Sequence, residues 1–183
     1  VTGVRRVLFR SSNIDLIAAA AITLGTGPGT YNPDGDVPRW QMATFLTRAL
    51  NLPMTTTDFF TDDDGQDFEP YVNAVANAGI TLGCSAGQFC PLDSVTRGQM
   101  ASFIARALGL QVAPNGDFFG DDDGNVHESN INTLAGLGVS LGTTASTYEP
   151  TDAVSRAQMA TFLARTMGLT DRTAQVFALT ILH

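Results

Sequence analysis

Three short blocks place an arginine beside residues that open helices. They are Val37-Pro38-Arg39-Trp40-Gln41-Met42, Val95-Thr96-Arg97-Gly98-Gln99-Met100 and Val154-Ser155-Arg156-Ala157-Gln158-Met159. Thr96 with Gln99, and Ser155 with Gln158, have the spacing of a capping box. Arg97 and Arg156 then fall at the first helical position, where a cation faces the positive end of the helix dipole. Two partners resolve that conflict. One is an anionic ligand, on which helix N–H groups, dipole and guanidinium converge. The other is a structural ion pair with an Asp of a neighbouring segment. Arg48, Arg106 and Arg165 lie nine residues further on, in the last turn, where a cation suits the dipole and a structural role is expected.

A second constellation is acidic. Asp62-Asp63-Asp64-Gly65 with Glu69 recurs as Asp121-Asp122-Asp123-Gly124 with Glu128. Oxygen-rich loops with glycine suit Ca²⁺, and Asp62, Asp64, Asp121 and Asp123 are the candidate ligands. The spacing is not that of an EF-hand. Helix capping and pairing to arginine is the competing use of these carboxylates. Cys84 and Cys90 fall in one small loop, so a local disulfide and an oxidising, extracellular setting are expected. The matching positions are Thr26 and Asn32, and Thr143 and Glu149, so the pair is dispensable to the fold. His127 reads as an exposed polar residue. No Ser/His/Asp set recurs, and a chain without Lys has no phosphate-binding Gly-Lys loop. An enzyme is not expected.

The elements that carry these residues repeat. A 59-residue shift takes Phe59 to Phe118, Asp62 to Asp121, Pro91 to Pro150 and Met100 to Met159. A 58-residue shift takes Ile22 to Ile80, Tyr31 to Phe89 and Phe45 to Phe103. Three units follow, at 13–52, 59–110 and 118–169. Each reads as helix, Gly-rich loop, helix. Glu69 to Ala78 has an apolar face and ends at Gly79, as the third unit does at Gly138. A second helix begins at Thr96, with Met100, Phe103, Ile104, Ala107 and Leu108 in one stripe. One unit is too small for its own core, so an all-α assembly sharing a core is predicted. Residues 1–12 and 170–183 leave the pattern; GVRRVLFRS reads as translated sequencing-adapter sequence, and the chain reads as a fragment of a longer protein.

Composition bounds the partners. All ten basic residues are Arg, against 15 Asp and three Glu, for a net charge of −8. That balance excludes a nucleic-acid binder and simple adsorption to anionic lipid. No run of 18 apolar residues forms a membrane span.

Phe60-x-Asp62, Gly79-Ile80, Gly83, Phe89-x-Pro91 and Val95-Thr96-Arg97-Gly98-Gln99-Met100-Ala101 resemble the S-layer homology (SLH) domain. The third unit repeats these blocks, and the first keeps Ile22, Gly25, Tyr31-x-Pro33 and Val37 to Ala43. Every copy has Gln where the family's Thr-Arg-Ala-Glu signature has Glu. The Asp-Asp-Asp-Gly loop and the Cys pair resemble SLH units of actinobacterial surface proteins. The resemblance implies a pseudo-threefold helical bundle that binds a cell-wall polysaccharide non-covalently, often one carrying acidic pyruvyl groups. It would hold a secreted or S-layer protein, fused to further domains, on the bacterial surface. Arg39, Arg97 and Arg156 would then take glycan carboxylates, with Gly83, Gly142, Asp62 and Asp121 lining the sugar. Trp40 either stacks on a sugar or packs where segments meet. The alternative function is a Ca²⁺-dependent structural or adhesive spacer that binds another surface protein.

Overall fold

The computed structural model describes residues 12–111 and 116–169. The expectations placed on residues 1–11 and 170–183, and on Pro114 and Asn115, lie outside the described residues. Regular structure among the described residues is helical: α1 (residues 12–19), α2 (Arg39–Ala49), α3 (Glu69–Asn77), α4 (Arg97–Ala107), α5 (Glu128–Gly136) and α6 (Arg156–Thr166). Extended chain is confined there to isolated bridges. The chain is all-α, and the predicted starts and ends of α3 and α4 hold to within one residue. The apolar stripe of α4 stops earlier than expected. Met100, Phe103 and Ile104 are buried, but the helix ends at Ala107, and Leu108 at the cap is 38% exposed.

Sequence chemistry accounts for the helix ends. Both capping boxes form. Gln99 N–H donates to Thr96 Oγ1 at 3.2 Å and Gln158 N–H to Ser155 Oγ at 3.3 Å, with Gln99 and Gln158 accepting in return. Each such cap stabilises its helix by about 1 kcal/mol. Pro38 at the start of α2 has no side-chain oxygen to offer, and that helix lacks a cap bond. At the far end of α3, Gly79 turns left-handed (φ +70°). Gly79 N–H then reaches Ala76 O and Ile80 N–H reaches Val75 O, closing the last turn. Gly138 and Val139 repeat this on α5. Ala21 does so after α1 without the glycine's freedom, at φ 56°.

The described chain forms two compact units, residues 36–154 and the pair of segments up to 35 and from 155 onward. In the larger unit α2 packs on α3 and α4 on α5. Met42 and Leu46 of α2, Val75 of α3, Phe103 of α4, and Ile80 and Phe89 of the intervening loop line a small apolar void. The same unit holds a closed cycle of backbone bonds. Val37 N–H donates to Val154 O, Val154 N–H to Val95 O, and Val95 N–H to Val37 O, at 3.0, 2.8 and 2.9 Å. All three valines are fully buried. In the smaller unit, Asn13 Nδ2 donates to Thr161 Oγ1 at 3.2 Å, joining α1 to α6 over buried Leu16, Ile17 and Ile22.

Candidate functional site

The three helix-start arginines point inward. Arg39, Arg97 and Arg156 are only 3–5% exposed. Arg39 Nε donates to Phe89 O at 2.7 Å, Arg97 Nε to Tyr148 O at 2.6 Å and Arg156 Nε to Tyr31 O at 2.7 Å. Each guanidinium lies over the ring of the residue whose carbonyl it holds, at 4.8, 4.5 and 4.5 Å from the centroid. Arg97 Nη2 also donates to Leu141 O, whereas Arg39 Nη2 is buried without a hydrogen-bond partner. Burial lowers the pKa of Arg39 and Arg156 from the ordinary guanidinium value.

The helix N-termini are occupied as well. Arg39 and Trp40 N–H donate to Asp93 O and Pro91 O; Arg97 and Gly98 N–H to Asp152 O and Pro150 O; Arg156 and Ala157 N–H to Gly35 O and Pro33 O. Alternate carbonyls of one loop thus converge on each helix start and its arginine. The conflict between arginine and dipole is resolved by these carbonyls, a partner that sequence reasoning did not weigh. The helix-start N–H groups and the Nε of each arginine, expected to face a glycan carboxylate, bond loop carbonyls instead.

Asp62 and Asp121 hold the same loops from the other side. Asp62 Oδ1 and Oδ2 accept Phe89 and Cys90 N–H, both at 2.7 Å, and Asp121 does the same with Tyr148 and Glu149. Cys90 and Glu149 take left-handed φ of 56° and 58°, which turns two successive N–H groups toward one carboxylate. Burial pushes the Asp121 pKa up, but the N–H donors outweigh it and the value falls below the ordinary carboxylate range. Gly83 and Gly142 pack the loop onto an aromatic ring. A Cβ there would lie 2.7 Å from Phe60 and 2.5 Å from Phe119. Cys84 and Cys90 are joined by a disulfide, Cα–Cα 6.0 Å, across the loop that Asp62 holds.

The acidic loops bring together a different set from the one predicted. Asp64 and Asp123 belong to it; Asp62 and Asp121 do not, because their carboxylates are committed to loop N–H groups. The structure replaces them with Asp58 and Asp63, and with Asp117 and Asp122. Sequence carried a signal for Asp63 and Asp122, the middle members of each triplet, but none for Asp58 and Asp117. Burial raises the carboxyls of Asp63 and Asp122 to about 6, helped by the acidic neighbours.

An open, aromatic-lined cleft lies where α2 meets α3. Trp40 stacks on Phe68 with centroids 5.3 Å apart. Together with Arg48, Gln66, Asp67 and Tyr71 they line a cleft of about 680 Å³. Arg48 sits over the Tyr71 ring at 5.4 Å. A second cleft, about 500 Å³, is walled by Asp121, Asp123, Glu149 and Asp152 and is acidic. At the α4–α5 crossing, His127 Nδ1 and Ser102 Oγ are 2.8 Å apart, and Asn130 Nδ2 donates to that oxygen at 2.9 Å. His127 is thus half-buried and bonded, not the exposed residue expected; burial, and then Arg106, lower its pKa.

Comparison with known proteins gives the context of this geometry. Residues 59–101 and 121–160 match the S-layer homology domain family. An S-layer protein of Bacillus thuringiensis subsp. finitimus is 34% identical over 157 residues, covering 82% of this chain and 19% of that protein. S-layer protein EA1 of Bacillus anthracis is 34% identical over 156 residues, covering 82% and 18%. An uncharacterized cell wall amidase of Bacillus anthracis is 31% identical over 147 residues, covering 78% and 28%. The chain therefore spans about a fifth of the length of the S-layer proteins it matches.

Proposed function

With residues 59–101 and 121–160 belonging to the S-layer homology domain family, at home on the cell surface or cell wall, we propose that this chain anchors a larger protein there by binding an acidic, pyruvyl-bearing cell-wall polysaccharide. Residues 13–52 act as a third repeat in this proposal; Arg39 and Trp40 repeat the backbone bonds of Arg97 and Gly98. In this proposal the domain is of the actinobacterial type, a reading supported by the Asp-Asp-Asp-Gly loops and the cystine. The amidase activity named for one relative stays with that protein, of which this chain matches 28%.

The observation that carries the proposal is the cleft at Trp40. It offers what a sugar needs: an aromatic face, polar groups at its rim and a cation in reach. Arg48 supplies the charge for a glycan carboxylate. The acidic cleft at Asp121 would repel the same ligand. Arg39, Arg97, Arg156, Asp62, Asp121, Gly83 and Gly142 serve binding indirectly, by fixing the loops that frame such clefts.

The test is sedimentation with purified cell walls. Trp40→Ala and Arg48→Ala should each lower retention at least tenfold, about 1.4 kcal/mol, with helix content unchanged by circular dichroism. Arg106→Ala, the matching cation at the α4–α5 crossing, should retain binding. Retention by Trp40→Ala equal to that of the parent chain would remove the cleft from the proposal.

A further inference from the structure

We propose that Asp58, Asp63 and Asp64 form a binding site for a hard divalent cation of the calcium class, and that Asp117, Asp122 and Asp123 form a second. In each set the three carboxylates offer oxygens that all lie within 4.8 Å of one another. The middle residue decides the matter. Asp63 and Asp122 are 0% exposed, and both carboxylate oxygens of each are buried without a hydrogen-bond partner. A buried carboxylate normally gathers N–H donors, since an unpaired one is strongly unfavourable. Asp62, one residue away, does gather them, taking two loop N–H groups. Asp63 instead faces two other carboxylates. That arrangement calls for a positive charge at their centre.

The donor set names the class of ion. All donors are carboxylate oxygens, which select hard cations over zinc or copper. Three carboxylates overcompensate a divalent charge. They leave further positions for water or carbonyls, which suits the six to eight ligands and loose geometry of Ca²⁺ better than the strict octahedron of Mg²⁺. The neighbouring acids do not compete. Glu69 Oε2 accepts Gly65 N–H at 2.7 Å and Glu128 Oε2 accepts Gly124 N–H at 2.8 Å. Recurrence of the whole arrangement, 59 residues apart, makes each site a replicate of the other.

The experiment uses the full chain, stripped with chelator and titrated with calcium chloride alone. Equilibrium dialysis should find two bound ions per chain, with affinity on the order of 0.1–1 mM. Ten millimolar calcium should raise the melting temperature by about 5–10 °C. Asp63→Asn or Asp122→Asn should each remove one ion, and the double substitution both. In chelator these isosteric variants should melt no lower than the parent, because each removes an uncompensated buried charge. Asp58→Asn and Asp117→Asn, at exposed positions, should weaken each site at least tenfold without touching the buried residue. Absence of bound calcium and of a melting shift overturns the proposal. So does binding that survives the Asp63/Asp122 double substitution, and an equal shift with magnesium overturns the calcium class.

Discussion

The α2–α3 and α4–α5 crossings occupy the same place in successive repeats and are built from opposite materials. Trp40, Thr44, Phe68 and Tyr71 at the first correspond to Gly98, Ser102, His127 and Asn130 at the second. The first is aromatic, stacked and open to a cleft of about 680 Å³. The second is small and polar, its His127, Ser102 and Asn130 joined by hydrogen bonds. Beneath both, the arginine clamp, the carbonyl-filled helix start and the carboxylate that holds the loop are the same. The scaffold is what repeats; the chemistry on offer to a ligand is what varies.

The strongest way to break this contrast is to give one crossing the other's residue. A Cβ at Gly98 already meets His127 Cδ2 at 2.9 Å and Pro150 O at 3.1 Å. Gly98→Trp should therefore destabilise the fold by about 3 kcal/mol, read as a drop in denaturation midpoint, while Gly98→Trp with His127→Phe should recover part of the loss. A crossing that accepts the tryptophan freely would show that the two are interchangeable.

A smaller effect is expected from the polar network. Ser102→Ala leaves His127 and Asn130 without their shared oxygen and should cost about 1 kcal/mol in chemical denaturation. Thr44→Ala, at the matching position under the aromatic cleft, should cost less, since Thr44 Oγ1 donates only to Trp40 O within its own helix.

The smallest effect is a pH dependence confined to the second crossing. Burial holds the folded His127 below the 6.5 at which the unfolded chain protonates. Its contribution to stability is therefore complete above about pH 6.5 and declines as pH falls through that value toward the folded pKa. Thermal melts from pH 7.5 to 5 should show a steeper acid loss in the parent chain than in His127→Phe. Parallel curves would place the imidazole in solvent in both states.

The helices were legible in the sequence because their signals are local. Gly79 and Gly138 stop them, Thr96 and Ser155 cap them, and the apolar spacing of Met100, Phe103 and Ile104 gives the buried face. The cystine was legible because six residues separate its halves. The inward turn of Arg97 was not, since its partners Tyr148 and Leu141 lie 51 and 44 residues away. The three consecutive Asp were visible as a cluster, yet their division of labour was not. Whether a carboxylate meets Cys90 N–H or faces Asp58 depends on how the loop folds back, which no spacing rule reports.

The lack of room for a side chain at Gly98 bears on how the segments find one another. Three near-identical loops and three near-identical helix starts present the folding chain with docking partners that the shared bonds cannot tell apart. The residue after the arginine differs, Trp40 in one helix start and Gly98 in the next. Trp40 is too large for the place that Gly98 fills beside His127, and it finds its stacking partner in Phe68. Exchanging Trp40 and Gly98 between the two crossings would therefore clash at one and leave Phe68 unstacked at the other, a penalty that disfavours mispaired segments.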